Sequence, residues 1–337
     1  MLNFDAERFL KIEKGAVALA AEIDAAAQRY VAEGIDSVFF LGTGGAAILM
    51  YPAAALLAER SRLKIFTERS AELVLMDHRS LGPRSLVVIP SLSGTTKESI
   101  AALDFCRARG ARIVTLVGHA DTPLGRSADR AFVNFAEDDT SSESFYIQGL
   151  LIAAALLKHR GEANLHEIVT PHLAQLPQAL LAAKASFEPR AARLAETFRN
   201  EPYHIITGAG SAWPQAFYYG MCILEEMQWI RTRPVHASDF FHGTLELVEK
   251  GVSVILLKSE DEFRPLADRV EQFARQYTDK LTVIDPAEAD LPGIPQAFRA
   301  LISPVVLAAE LERLSAHIEH LRNHPLTTRR YYKRVAY

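Results

Sequence analysis

One order of elements occurs twice in this chain: an apolar strand, a glycine turn, a helix, then another strand. SVFFLG (37–42) runs into Gly44 and Gly45 and an alanine-rich helix to about Arg60. YHIITGAG (203–210) restarts the same order, with a helix to about Ile230. A repeat on this scale reads as a tandem duplication of one α/β unit. Further strands are expected over 63–68, 85–91, 112–118 and 130–135 in the first half. In the second half they are expected over 252–257, 280–285 and 300–306. Near-continuous apolar strands alternating with helices imply parallel sheets covered on both faces. Helices are also expected over 142–160 and 163–200, the latter as a bridge between domains. The expected architecture is thus two doubly wound parallel-sheet domains with flanking helices, at 1–165 and 190–323, and a C-terminal tail at 324–337.

The chain has 337 residues, and 49% of them are hydrophobic, enough for two packed cores without metals or disulfides. Its net charge is −4 and its Lys and Arg form no stripe, which argues against nucleic acid as a partner. Cys106 and Cys222 belong to no CxxC or Cys/His cluster, so neither a disulfide nor a metal site is expected. The N-terminal MLNFDAERFLKIEKG has no apolar signal core, and reduced thiols fit a cytoplasmic protein. Val38–Ala58 carries no charge over 21 residues, nominally enough to span a bilayer. Gly42, Gly44, Gly45 and Pro52 interrupt it, so a buried strand, turn and buried helix are expected instead, and no membrane partner.

Three loops could hold an anion. FLGTGGAA (40–47) places glycines between a strand and a helix start, where free N–H groups and the helix dipole attract negative charge. It is neither GxGxxG nor a P-loop, and alone it reads equally well as a tight turn. SLSGTTKES (91–99) is more specific. One hydroxyl would suffice as a helix cap; Ser91, Ser93, Thr95 and Thr96 together favour donation to phosphate oxygens. GAGSAWP (208–214) offers only Ser211, so the second copy is expected to have lost ligand binding or to serve structure.

Ser91-Leu92-Ser93-Gly94-Thr95-Thr96 resembles the phosphate loop S-x-S-G-x-[ST] of the SIS (sugar isomerase) family. HASDFFHGTLELVEKG (236–251) resembles the H-G-P-L-E-[LI]-[VI] region of the second SIS domain in amino-sugar enzymes. RRYYKRVAY (329–337) is similar to the ending of fructoselysine-6-phosphate deglycases. The resemblance spans both halves and the tail. It implies phosphate binding by Ser91, Leu92, Ser93 and Thr96, with Gly44 and Gly45 contributing backbone and Ser144 a further hydroxyl. It also implies a proton-transfer glutamate sixteen residues before the motif histidine, which here makes the pair Glu226 and His242. In that role Glu226 moves a proton between C1 and C2 of an open-chain sugar, and His242 assists ring opening. Two departures stand out: Gly45 replaces a family Ser/Thr, and His242-Gly243-Thr244 replaces HGP.

The implied activity is cleavage of a 6-phosphorylated sugar–amine conjugate, with no metal or cofactor. The alternatives are an amino-sugar 6-phosphate isomerase or deaminase, or a non-catalytic sugar-phosphate sensor. The resemblance implies a homodimer or larger homo-oligomer with the site near the subunit interface, His242 coming from either chain. Read alone, Glu226 could be a solvated or paired surface acid and His242 a core histidine. Arg329, Arg330 and Lys333 could anchor an anionic substrate or a partner subunit, and Tyr331, Tyr332 and Tyr337 favour a tail that docks.

Overall fold

A computed structural model describes residues 1–136, 142–332, 334 and 335. The chain divides into two compact units, Glu7–Pro177 and Gln178–Tyr337, with Met1–Ala6 belonging to the second.

The first unit contains five strands: β1 (Ser37–Gly42), β2 (Lys64–Arg69), β3 (Ser85–Ser91), β4 (Arg112–Val117) and β5 (Arg130–Val133). All pair in parallel, in the order β2-β1-β3-β4-β5. β1 and β3 are buried at every position, as their unbroken apolar runs require. Phe39, Val87, Ile89 and Ile113 pack with Leu103 and Cys106 of the helix Lys97–Ala108. Each large apolar side chain buried there stabilises the fold by roughly 1.5–3 kcal/mol. The uncharged run folds as β1, a turn, and the helices Gly45–Ile48 and Tyr51–Arg60. Among the described residues no helix is long and apolar enough to cross a membrane.

The second unit holds β6 (Tyr203–Gly208), β7 (Arg231–His236), β8 (Ser253–Leu257) and β9 (Lys280–Ile284). These too are all parallel, in the order β7-β6-β8-β9. Strand for strand this repeats β2-β1-β3-β4, the duplication expected from the sequence. Two sequence expectations fail here. Strand β7 (RTRPVH) was not anticipated, because Arg231, Arg233 and Pro234 do not read as a strand. It forms because it lies at the sheet edge, where proline is tolerated and charged side chains reach water. Conversely, 300–306 is no strand: it lies inside the helix Gln296–Arg322, which runs through Pro304. A short apolar run cannot be distinguished from a segment of buried helix by periodicity alone.

The first six residues join the second unit through a buried charge cluster. Leu2 donates its N–H to Glu188, and Arg313 donates to the Leu2 carbonyl at 2.9 Å. Phe4 lies under the Arg313 guanidinium, 4.6 Å from the ring centroid.

In each sheet the direction of strand succession reverses once, between β1 and β3 and between β6 and β8. The crevice at the C-terminal ends of such a strand pair is where open α/β sheets bind ligands.

Candidate active site

Both loops expected to bind phosphate leave the switch point of the first sheet. β1 ends at Gly42, where an added Cβ would fall 2.9 Å from the Ala47 Cβ; glycine lets strand and helix meet. Gly44 (φ +61°) opens the helix Gly45–Ile48, and no side chain caps that helix. β3 ends at Ser91, and Gly94 (φ +63°) turns the chain so tightly that a Cβ would lie 2.2 Å from Thr122 Oγ1. The Leu92 carbonyl is tied to the Gly118 N–H at 2.9 Å.

The hydroxyls in this loop face one another. Ser91 Oγ and Thr96 Oγ1 are 3.2 Å apart, and Thr95 Oγ1 donates to Ser93 Oγ at 3.1 Å. Thr96 stands at the N-cap of the helix Lys97–Ala108, yet its side chain does not cap it. Thr96 therefore does not act as a helix cap, while Ser93 Oγ also accepts from the Thr95 N–H at 3.4 Å. The arrangement is a cluster of hydroxyls around uncapped helix N–H groups, and these chemistries suit a phosphate dianion. Ser144 is buried in the first turn of the helix Ser142–His159. Part of the connection before it, 137–141, lies outside the described residues.

The matching switch point of the second sheet is closed from within. Gly210 (φ +54°) follows β6, and a Cβ there would sit 2.6 Å from Asp261 Oδ1. Asp261 Oδ2 accepts from the Ser211 N–H at 2.9 Å and from its hydroxyl at 2.6 Å. Oδ1 accepts from Ser259 Oγ at 2.7 Å and from the Phe263 N–H at 3.0 Å. The protein's own carboxylate thus occupies the donor-rich corner of the second sheet. No sequence signal identified Asp261, which lies fifty residues from the glycine loop.

Glu226 closes the helix that follows β6. That helix starts as Ala212–Tyr218 and then widens into i→i+5 turns over Tyr219–Glu225. Glu226 N–H donates to the Met221 carbonyl at 3.1 Å in this wider register. Gly220 permits the close approach to the sheet, since a Cβ there would be 2.8 Å from Pro234. Such widened turns are over-represented at functional sites. The two adjacent glutamates divide their duties. Glu225 accepts from Thr232 Oγ1 at 2.7 Å and holds the helix end to β7. Glu226 is 32% exposed and forms an ion pair with Arg329, Nε to Oε1 at 2.9 Å.

Arg329 belongs to the tail, which docks on its own unit. Asn323 (φ +47°) reverses the chain after the helix Gln296–Arg322. Gln228 then donates to the His324 carbonyl at 2.7 Å, and the Arg330 guanidinium stacks 4.1 Å from the Trp229 ring centroid. Tyr331 is exposed, while Lys333 and Tyr337 lie outside the described residues.

His242 is exposed, on the loop beyond the short helix Ala237–Phe240, and so is not a core histidine. Thr244, in the place of the family proline, is buried and accepts from Arg233 Nε at 3.1 Å, a bond proline could not make. The segments that carry Glu226 and His242 pack on opposite faces of the second sheet. Consecutive strand residues face opposite sides of a sheet. Gly220, on the helix leading to Glu226, packs on Ile206 and Pro234. Phe240, just before His242, packs with Ile205 and Val254 on the other face.

Residues 34–158 match the SIS domain. A fructosamine deglycase of Bacillus subtilis is 31% identical over 322 residues, covering 94% of this chain and 97% of its own. A fructoselysine 6-phosphate deglycase of Escherichia coli is 26% identical, covering 92% of this chain and 89% of its own. The crystal structure of a Bacillus subtilis protein assigned as a phosphosugar isomerase superposes with a TM-score of 0.86 at 28% identity, covering 99% of this chain and 100% of that one. Full-length identity, the repeated sheet and the hydroxyl loop agree: the chain belongs to the SIS-domain family and is an enzyme of the deglycase and isomerase kind that these relatives represent.

Proposed function

We propose that the protein cleaves a 6-phosphorylated fructosamine conjugate into hexose 6-phosphate and a free amine. The observation that carries this reading is the near full-length identity to a fructosamine deglycase. The uncapped hydroxyl loop at the first switch point supports the phosphate assignment, with Ser91, Leu92, Ser93 and Thr96 as the grip. Gly44 and Gly45 add backbone donors, and Ser144 a further hydroxyl.

The substrate carries its amine on C1 beside a C2 ketone that is masked in the ring. His242 passes a proton at the ring oxygen as the ring opens, since an imidazole can both give and take a proton. Glu226 then removes a proton from C1, giving an enaminol, and returns it to C2. The product is a C1 imine, and water adds to it to release the amine and leave an aldehyde at C1. One carboxylate that reaches both carbons suffices for the transfer. Because Glu226 and His242 lie on opposite faces of one sheet, the reading assigns them to different chains of a homo-oligomer.

Turnover across phosphorylated conjugates, reading sugar phosphate, amine and ammonia separately, tests the proposal. Fructoselysine 6-phosphate and its analogues should yield hexose 6-phosphate and amine together. Glu226→Gln should lower kcat by about 10²–10⁴-fold, the usual worth of a general base. Ammonia from an amino-sugar phosphate, with no conjugate cleaved, would instead make the protein a deaminase.

A further inference from the structure

The contact between Glu226 and the C-terminal tail links the proposed base to a segment that the chemistry above does not use. Glu226 closes a helix whose last turns are irregular. The i→i+5 register, the left-handed Trp229 (φ +55°) and the reversal into β7 leave little regular backbone to fix its side chain. Arg329 supplies the fixation from outside. Its guanidinium is only 11% exposed, and it also donates to the backbone carbonyls of Leu326 and Thr328 in its own turn. That turn is pinned in place as well, since the Leu326 N–H donates to Glu319 at 2.8 Å. The guanidinium is therefore held in place before the carboxylate meets it, and a preorganised cation orients its counter-ion at small entropic cost.

We propose that Arg329 is a positioning residue for Glu226: the docked tail fixes the carboxylate in one orientation and holds it as the anion that accepts the sugar's proton. This rests on the assignment of Glu226 as the proton-transfer base. An opposite charge at contact favours the ionised carboxylate. Charged groups on this face among the described residues include Glu225, tied to Thr232, Arg322, on the Gln228 carbonyl, and Arg330, on Trp229. His324 lies edge-on to Trp229 at 4.5 Å, and burial together with Arg322 keeps its pKa below the usual imidazole range.

The test compares pH–rate profiles of the full-length protein with those of Arg329→Met, Arg329→Lys and Glu226→Gln, using a fructosamine 6-phosphate. Arg329→Met should lower kcat by about 10–100-fold with KM little changed, and move the acidic limb of kcat/KM up by about one pH unit. Arg329→Lys should fall between Met and the parent in both readouts, and added guanidinium should restore part of the Met variant's kcat. If the Met variant does not fold, the Lys variant decides: a parental limb and parental kcat would overturn the proposal. So would an unshifted limb in a folded Met variant while Glu226→Gln is inactive. Activity retained by Glu226→Gln would instead remove the base assignment itself, and the positioning role with it.

Discussion

The two switch points are built from the same strand order and reach opposite ends. After β1 and β3 the chain presents Gly44, Gly45, Ser91, Ser93 and Thr96, and neither helix opening there is capped by a side chain. After β6 and β8 it presents Gly210 and Ser211, and Asp261 accepts four hydrogen bonds in the corresponding corner. A donor-rich turn at the carboxyl end of a parallel sheet must be satisfied by something. One copy is satisfied by a carboxylate of its own and becomes structure. The other keeps its hydroxyls turned on each other, the arrangement proposed above to grip a phosphate dianion. The second unit carries Glu226 at the end of the helix after β6 and His242 on the loop beyond Ala237–Phe240.

This contrast can be broken by moving the carboxylate. Placing an acid in the first loop, Ser93→Asp, should mimic the closed copy. KM for a phosphorylated substrate should rise at least about tenfold, since like charges at contact cost several kcal/mol. Steady-state kinetics check this, and an unchanged KM would mean that the phosphate lies elsewhere. The converse change, Asp261→Ala, leaves the Ser211 and Phe263 N–H groups without their acceptor. It should cost about 1–3 kcal/mol in denaturant unfolding while KM of the folded enzyme stays at the parental value. A rise in KM with unchanged stability would contradict the division of roles.

A smaller effect separates the units by pH. Burial pushes the Glu310 carboxyl, on the helix Gln296–Arg322, up to about 8 from 4.5. A folded-state pKa raised this way gives stability that is full below the unfolded value and is lost as pH rises through the folded one. The second unit should therefore weaken between pH 4.5 and about 8. Glu310→Gln should remove that pH dependence, raising stability over the parent at pH 8 or above and leaving stability at pH 4 unaltered. Thermal melts across that range give the answer.

How much of this was legible in the sequence follows from where each signal lies along the chain. β1, β3 and the Ser91–Thr96 loop were legible because strand, glycine and hydroxyls are contiguous and the strands are buried along their whole length. β7 was not, because an exposed edge strand carries arginine and proline without a hydrophobic pattern. The helical state of 300–306 was hidden because a nearly all-round buried helix looks like a strand over seven residues. Asp261 is invisible in sequence because Ser211, the residue it ties to the glycine loop, is fifty residues away. Arg329 was noted for its charge and position, but its partner Glu226 could be identified only from the docked tail. Cys106, which the sequence places in no cluster, is buried, and desolvation pushes its thiol up to about 12, which keeps it inert.

The most direct test of the asymmetry is calorimetric titration of a hexose 6-phosphate into three proteins: the parent, Ser93→Ala and Ser211→Ala. Removing the first hydroxyl should weaken binding by about tenfold, the value of one hydrogen bond to a charged group. Removing the second should leave affinity at the parental value, because Ser211 already donates to Asp261. Parental affinity in Ser93→Ala with a loss in Ser211→Ala would place the phosphate at the second switch point and contradict the account.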